Sequence, residues 1–210
     1  MESLAVLDKI EVANKMNKHT FDVDKVKQGV RLILEGVGEN PEREGLKDTP
    51  RRVAQMYKEL IKHPADYEGG IDFNMTTFSS ENYKQMIVVQ DIPFISHCEH
   101  HMAPFHGKIH VGYISEERIV GLSKIPRVVE FFARRLQVQE RMTQQIADYL
   151  YERLQPKGVI VVAQAEHTCI STRGVKKVGT ITTTSALKGV FLEKDHPKQE
   201  FFNLIRNALR

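Results

Sequence analysis

The segment Ser96–Ile114, SHCEHHMAPFHGKIHVGYI, concentrates side chains that bind metal ions. Cys98 and His101 stand in a C-x-x-H spacing, so a single turn can direct both at one cation. The only other cysteine, Cys169, lies far along the chain and follows His167 by two residues. Three protein ligands leave one position on a zinc ion open for water, whose pKa then falls toward neutrality. The set therefore predicts a hydrolytic zinc centre.

Two other interpretations of these residues stay open at this point. A C-x-x-H spacing occurs by chance, and isolated cysteines are often small buried hydrophobic residues. A fourth protein ligand would make the site structural instead of catalytic. The candidates for that ligand are His97, His100, His106 and His110.

His100 and His167 are the candidates for proton transfer, because each stands close to a predicted metal ligand. In an extended segment His167 and Cys169 would point to the same face, since side chains alternate along a strand. Imidazole titrates near neutral pH and suits general acid and base catalysis. The alternative is that each is a structural histidine, which is how we interpret His97, His106 and His110.

Basic residues form a third group near the histidine and cysteine segments. Lys124 and Arg127 fall at a predicted helix start, Arg173 follows Cys169, and Arg52 opens an earlier helix beside Arg51. Helix N-termini that carry Arg and Lys are suited to phosphate binding. Taken singly, each of these residues is more commonly a solvated surface charge. Their position beside the predicted metal site favours a polyphosphate substrate.

These residues depend on a mixed set of elements. Hydrophobic spacing predicts one helix from Asp22 to about Gly36 and a second that starts at Asp48-Thr49-Pro50. The histidine-rich segment then lies in a strand–loop–strand corner that begins near Met86. Two helices, two further strands and a last helix follow; they are SKIPRVVEFFARRL, QERMTQQIADYLYERLQ, GVIVVAQAEHTCI, VGTITTTSALKGVF and KQEFFNLIRNAL. The pattern predicts an α+β fold with a largely antiparallel sheet.

Composition limits the classes of protein that fit. With 210 residues, 41% of them hydrophobic, the chain can bury a core without disulfides. It contains no apolar run of about 18 residues and no signal-peptide layout, so we expect a cytoplasmic protein that does not enter membranes. The net charge of +3 arises from interspersed charges of both signs, which does not require a nucleic-acid partner.

Five segments together resemble the GTP cyclohydrolase I family in their order and spacing. They are DTPRRVAQMY, SHCEHHMAPFHGKIHVGYI, VGLSKIPRVVEFFARRLQVQERMTQQI, AEHTCISTRG and TITTTSALKGVF. The resemblance covers roughly residues 23–210. It implies the tunnelling fold, in which antiparallel sheets of neighbouring subunits close into a barrel and two five-membered rings stack into a homodecamer with shared active sites. It divides the chain into an N-terminal arm (1–22), a helical region (23–80) and a tunnelling-fold catalytic domain (81–210).

The resemblance also implies a reaction. Enzymes of the family open the imidazole ring of GTP at C8, release formate and rearrange the ribose to give 7,8-dihydroneopterin triphosphate, the first step of folate and pterin biosynthesis. By motif, the Zn²⁺ ligands are Cys98, His101 and Cys169, in agreement with the spacing argument. Activated water attacks C8 while His167 protonates the purine nitrogen, and His100 assists later proton transfers around the ribose.

Substrate-binding roles carry over in the same way. Glu140 accepts hydrogen bonds from the guanine edge, although a carboxylate in a first helical turn is also explained by the helix dipole. Ser123 contacts the ribose or the phosphates. The triphosphate is held by Lys124, Arg127, Arg173 and, from an adjacent subunit, Arg52. The chain departs from the family at Gln55, where many bacterial members have a lysine, so one phosphate contact is weakened or replaced.

Two alternatives compete with this interpretation. Another tunnelling-fold enzyme acting on a pterin or deazapurine would share the anchoring glutamate but lack the combined CEHH and EHTC pattern. A non-catalytic zinc domain that binds nucleic acid would need a fourth ligand and basic residues interleaved with aromatics, neither of which is clear in this sequence. The partners we expect are GTP and further copies of the chain.

Overall fold

The computed structural model describes residues 21–63 and 75–206. Almost all of the predicted N-terminal arm, residues 1–22, lies outside the described residues, and the division into an arm, a helical region and a catalytic domain stays a prediction. Within the described residues no helix is both long and apolar enough to cross a membrane.

The first two helices of the described residues pack against each other. Helix α1 spans Val23–Gly36 and is capped by Asp22, whose carboxylate accepts a hydrogen bond from the Lys25 amide at 3.0 Å. Helix α2 spans Thr49–Leu60 and has Pro50 in its first turn, where the missing N–H has no intrahelical partner to lose. Both helices begin within a residue of the predicted starts.

The main sheet has five strands in the order β5-β2-β3-β6-β7. All neighbouring strands pair antiparallel except β2 and β5, which pair in parallel over two residues. A separate antiparallel pair joins β1 to β4. The strands are β1 Thr77–Ser79, β2 Met86–Cys98, β3 Pro104–Ile114, β4 Arg118–Val120, β5 Leu136–Gln137, β6 Gly158–His167 and β7 Ile181–Gly189. The predicted α+β fold with a largely antiparallel sheet is confirmed.

Helices cover both faces of this sheet. On one face, the alternating β3 residues Ile109, Val111 and Tyr113 are buried in the same core as helices α3 (Lys124–Ala133) and α4 (Gln139–Leu154). On the other face, a smaller core surrounds Phe191 and Phe201 of helices α6 and α7. The three remaining helices are α5 Thr168–Ser171, α6 Val190–Glu193 and α7 Asp195–Leu204.

Strand register brings the candidate site to one end of the sheet. Strand β2 ends at Cys98, β3 begins at Pro104, and His167 at the end of β6 pairs with Phe105. The Cys98 amide donates to the Ala103 carbonyl at 2.8 Å and closes the turn between β2 and β3. The predicted strand–loop–strand corner around the histidine-rich segment is therefore confirmed.

One prediction about this region is wrong. His167 and Cys169 do not share an extended segment, because β6 ends at His167 and Cys169 lies in the one-turn helix α5. Pairing with β7 stops at Glu166 and pairing with β3 stops at His167, so the chain after His167 is no longer held in a strand. The Thr168 hydroxyl instead donates to the Pro104 carbonyl at 2.6 Å, and the Thr172 amide donates to the Thr168 carbonyl at 2.9 Å.

Replacing Gly107 by alanine tests how tightly β3 and β6 are held together. A Cβ atom there would overlap the backbone carbonyl of Gln164 and lie 2.7 Å from the Ala165 Cα, so the strands must separate locally. We expect Gly107→Ala to lower the free energy of unfolding by ~2 kcal/mol or more. The measurement is the denaturation midpoint at fixed protein concentration. The exposed neighbour His106→Ala is the control, and an equal loss in both variants would contradict the close approach.

Candidate metal and catalytic site

Three predicted metal ligands meet at the end of the sheet. The ligand atoms of Cys98, His101 and Cys169 all lie within 4.8 Å of one another. Cys98 comes from the end of β2, His101 from the turn that follows, and Cys169 from helix α5. Cys98 is buried, Cys169 half-buried and His101 exposed, so the cluster opens to solvent on the histidine side.

The donor set fits a divalent metal with an open coordination position. Burial, together with the neighbouring Cys98 sulfur, raises the pKa of the Cys169 thiol. A cation bound between the two sulfurs reverses that effect, because it stabilises both thiolates. Among residues 21–63 and 75–206 no fourth histidine, cysteine or carboxylate joins the cluster. Three protein ligands of this kind are typical of catalytic zinc sites, whereas structural sites have four.

Two of the four histidines considered as a fourth ligand, His97 and His110, have other surroundings. His110 is buried in the middle of β3, where its Nδ1 accepts a hydrogen bond from the Asp91 amide at 3.1 Å. His97 is buried with its ring 6.2 Å from that of Tyr57. Desolvation lowers the pKa of both histidines, which favours the neutral ring. The expectation that these two are structural agrees with their environments.

His100 and Arg173 lie at the exposed rim of the cluster. The His100 Nδ1 is 3.6 Å from the Cys98 sulfur. The Arg173 guanidinium lies 2.6 Å from His101 Nε2. The structure thus brings a second histidine and one of the predicted phosphate-binding arginines to the three-ligand cluster.

His167 lies deeper, between a phenyl ring and an amide. Its ring stacks on Phe105, with centroids 4.6 Å apart and planes 3° from parallel. Its Nε2 is 2.7 Å from Gln139 Oε1. Burial lowers the pKa of His167, and the negative charge of Glu140 opposes this effect. The neutral ring is therefore the favoured form near pH 7.

Sequence reasoning did not identify Gln139 or Phe105. Gln139 directly precedes Glu140 at the start of α4, and its side chain is 1% exposed. A neutral amide in a first helical turn has no distinctive spacing that would separate it from a surface residue. Phe105 reads from the sequence only as one hydrophobic member of an alternating strand.

Glu140 shares this end of the sheet. It is exposed in the first turn of α4, near enough to His167 for its charge to act on that ring. Both the helix-dipole interpretation and the guanine-binding prediction fit this location. Helix α4 thus presents two adjacent side chains, Gln139 and Glu140, to the region of the cluster.

Three other predicted substrate-binding residues lie at the opposite end of helix α3. Ser123 precedes this helix, and Lys124 and Arg127 occupy its first turn. The chain just after the helix is beside the cluster, because the Arg135 carbonyl accepts from the His97 amide at 3.4 Å. A helix of ten residues is about 15 Å long. Within one chain these three residues are therefore not brought to the metal ligands.

Arg52 forms an ion pair at the start of its own helix. It is exposed on α2, and its Nε lies 3.1 Å from the Asp48 carboxylate, which Arg51 also contacts at 2.6 Å. These two arginines hold the pKa of Asp48 well below its usual range. Gln55, one turn further along, donates to Glu59 at 3.1 Å.

An ion pair fastens the turn that carries the ligands. Arg141 on α4 donates two hydrogen bonds to the Glu99 carboxylate, at 2.6 and 3.0 Å. This bidentate contact lowers the pKa of Glu99 and raises that of Arg141. The Glu99 amide also donates to the Gln137 carbonyl at 3.0 Å. Glu99 lies between Cys98 and His101, so both contacts restrict where those ligands point.

Loss of this ion pair is expected to weaken metal binding. Arg141→Gln removes the bidentate contact while leaving all three ligands in place, and we expect about a tenfold lower Zn²⁺ affinity. Competition with a chromophoric chelator measures it. Arg31→Gln is the matched control, because Arg31 is ion-paired with Glu35 and Glu42 on α1 and the following loop. Equal affinities for both variants and the unmodified chain would show that the pair does not hold the turn.

Comparisons with known proteins identify the family to which the chain is similar. The sequence model of the family described as GTP cyclohydrolase I matches residues 26–206. Proteins named GTP cyclohydrolase 1 are similar over nearly their whole length. The one from Aquifex aeolicus (strain VF5) is 51% identical, covering 90% of this chain and 99% of that protein. The one from Sulfurihydrogenibium sp. (strain YO3AOP1) is 51% identical, with 89% and 97% covered.

A third relative, GTP cyclohydrolase 1 from Pelotomaculum thermopropionicum, is 50% identical, covering 89% of this chain and 98% of that protein. Among solved structures, the archaeosine synthase QueF-Like in the apo form covers 50% of this chain at 14% identity. Its TM-score of 0.40 is too low to support an inference. The family match and the identities over nearly full-length relatives are decisive: the chain belongs to the GTP cyclohydrolase I family.

Proposed function

We propose that this chain is a zinc-dependent, cytoplasmic enzyme that opens the imidazole ring of GTP at C8, releases formate and forms 7,8-dihydroneopterin triphosphate, the first step of folate and pterin biosynthesis. One observation carries the proposal. A cluster of Cys98, His101 and Cys169 lies beside two further histidines in a member of the GTP cyclohydrolase I family.

Zinc is the metal that best fits the donor set. Two thiolates and one imidazole suit Zn²⁺ better than Mg²⁺ or Ca²⁺, which prefer oxygen ligands. Cys98, His101 and Cys169 would hold it. When bound, the metal supplies a Lewis acid that activates water for attack on an electron-poor carbon.

His167 is proposed as the group that protonates the purine nitrogen. Burial favours its neutral form, and stacking on Phe105 fixes the plane of its ring. A histidine so placed can take a proton and release it again within one turnover. His100, exposed beside Cys98, is proposed to assist the later proton transfers around the ribose.

Glu140 is proposed to recognise the guanine edge. Its carboxylate can accept hydrogen bonds from the N1–H and the exocyclic amine of guanine. Adenine offers a different pattern and would leave the carboxylate unpaired once water is excluded, which is strongly unfavourable. Arg173, at the rim beside His101, is proposed to hold the triphosphate.

The remaining triphosphate contacts are proposed to come from other subunits. Ser123, Lys124 and Arg127 are separated from the cluster by the length of α3 within one chain, which supports a site completed by a neighbour. Arg52 on α2 is assigned the same kind of role. The positive charges of Lys124, Arg127 and Arg52 suit a triphosphate.

Free strand edges support assembly into a ring. Among the described residues, β7 pairs only with β6, and the outer edge of β2 pairs with β5 at its last two residues alone. Unpaired strand edges can pair with a strand of another chain. Pairing β7 of one copy with β2 of the next would be a heterologous contact, which forms a ring where the rotation between copies closes. We propose that such rings form the homodecamer of the family.

The reaction is tested by incubating the protein with GTP, with and without a strong chelator. We expect formate and a fluorescent oxidised pterin to appear in equal amounts. Both products should disappear with chelator and in Cys169→Ala, because each removes the metal. Re-addition of Zn²⁺ should restore the formation of both products by the unmodified protein but not by the variant.

A matched control distinguishes ligand loss from general damage. Ser171→Ala changes a residue of the same helix α5 that is not part of the cluster. This variant should still form both formate and pterin. Formate without pterin would limit the function to ring opening. Neither product from zinc-loaded, assembled protein would contradict the proposal and favour another tunnelling-fold reaction.

Mixed oligomers test whether the site is shared. Cys169→Ala and Arg127→Ala should each be nearly inactive alone. After dissociation and reassembly together, sites that take the metal ligands from one variant chain and the arginine from the other become complete. We expect activity to recover to roughly a quarter of the unmodified level if the chains mix randomly. No recovery, with mixing verified by mass spectrometry, would contradict a shared site.

A further inference from the structure

We propose that Gln139 is a positioning residue that holds His167 in its Nε2–H tautomer, so that Nδ1 is the nitrogen that exchanges protons with the substrate. The tautomer follows from the hydrogen-bond network alone. The statement about the substrate proton rests on the proposed function.

The orientation of the Gln139 amide is fixed by its neighbours. Its Nε2 lies 3.1 Å from the Ala163 carbonyl oxygen, 3.0 Å from that of Thr182 and 3.1 Å from the Thr184 hydroxyl. Carbonyl oxygens only accept hydrogen bonds, so the NH₂ group must face them. A flipped amide would direct its oxygen at two other oxygens in a buried site. Oε1 therefore faces His167.

The two threonine hydroxyls complete the same assignment. Thr143 donates its single proton to the Gln139 backbone carbonyl at 2.8 Å. At the 2.7 Å contact between Thr143 and Thr184, the Thr184 hydroxyl must then be the donor. The Thr184 oxygen is left to accept from the Gln139 amide. The two N–H protons of the Gln139 amide are shared among three acceptors, the Ala163 and Thr182 carbonyls and the Thr184 oxygen, and none of these contacts requires the amide nitrogen to accept.

The tautomer of His167 is set at the end of this chain. Gln139 Oε1 can only accept, so His167 Nε2, 2.7 Å away, must carry the proton. The other tautomer would place two lone pairs against each other, 2.7 Å apart, beside the buried Gln139 side chain. Stacking on Phe105 opposes rotation of the ring away from this contact.

This arrangement assigns separate tasks to the two ring nitrogens. The proton on Nε2 stays hydrogen-bonded to Gln139 Oε1 throughout the reaction. Nδ1 accepts a proton in the neutral ring and gives it up from the protonated ring. The only nitrogen of His167 that changes its protonation is then Nδ1, and the substrate nitrogen must approach that side of the ring.

Nuclear magnetic resonance of zinc-loaded protein with ¹³C,¹⁵N-labelled histidine tests the tautomer directly. The ¹⁵N shift separates protonated from unprotonated ring nitrogens, and carbon correlations distinguish Nδ1 from Nε2. His167 is assigned from the signal that is lost in His167→Gln. At a pH where the ring is neutral we expect a protonated Nε2 and an unprotonated Nδ1. A proton on Nδ1, or an even mixture, would overturn the proposal without any variant having to fold.

Gln139→Met tests the cause, because it keeps the length of the side chain and removes the acceptor. We expect the His167 signal to become a mixture of tautomers. We also expect kcat to fall about 10- to 100-fold, as for other partners that orient a functional histidine, with KM and zinc content unchanged. Gln164→Met is the control on β6, since Gln164 contacts Thr183 and not His167. A variant that keeps a pure Nε2–H tautomer would overturn the role of Gln139.

The two hypotheses fail separately. The tautomer is read without GTP, so an Nε2–H ring in a protein that forms neither formate nor pterin would contradict the proposed function and leave the assignment intact. Normal turnover by a protein whose His167 carries its proton on Nδ1 would contradict the tautomer assignment and leave the proposed function intact.

Discussion

The antiparallel register between β3 and β6 is the constraint on which the site depends. It pairs Phe105 with His167 and so aligns the end of β6 with the turn that follows β2. Because side chains alternate along a strand, a slip of one residue would turn His167 away from Gln139 and Phe105 away from the core. Gly107 makes the close approach of the two strands sterically acceptable. The position of the site is therefore determined first by the pairing of β3 with β6 and only then by the loops.

The polar groups at this end of the sheet are stable only as a set. Burial favours a neutral His167 and raises the pKa of the Cys169 thiol, so neither gains from ionising without a partner. A divalent cation held by the cluster would change this balance, because it would stabilise two thiolates and link the end of β2 to α5. The Glu99–Arg141 ion pair and the Gln139 amide do not touch the metal ligands' donor atoms. They restrict the backbone at Glu99 and the ring of His167, to which we assign the proton transfer.

The sequence was informative where residue type alone decides. The Cys98, His101 and Cys169 set follows from having only two thiols, and the helix starts follow from Asp22 and Pro50. It failed where a distant contact decides. The turn after His167 depends on Thr168 bonding to the Pro104 carbonyl, 64 residues earlier. The role of Gln139 depends on acceptors 24 to 45 residues away, which no local pattern records.

Separating the basic residues from the metal ligands has an electrostatic advantage. A divalent cation, Arg173 and the cationic side chains of Lys124 and Arg127 would repel one another if one chain held them all together without substrate. In the proposed assembly, each chain has the cation and Arg173 at its own cluster, and its Lys124 and Arg127 lie at the cluster of a neighbour. A triphosphate bound between two chains then attracts both sets. By reciprocity, a ligand that bridges subunits must stabilise the oligomer by as much as the oligomer strengthens its binding. In that arrangement, substrate binding and subunit association are thermodynamically coupled, so that each strengthens the other.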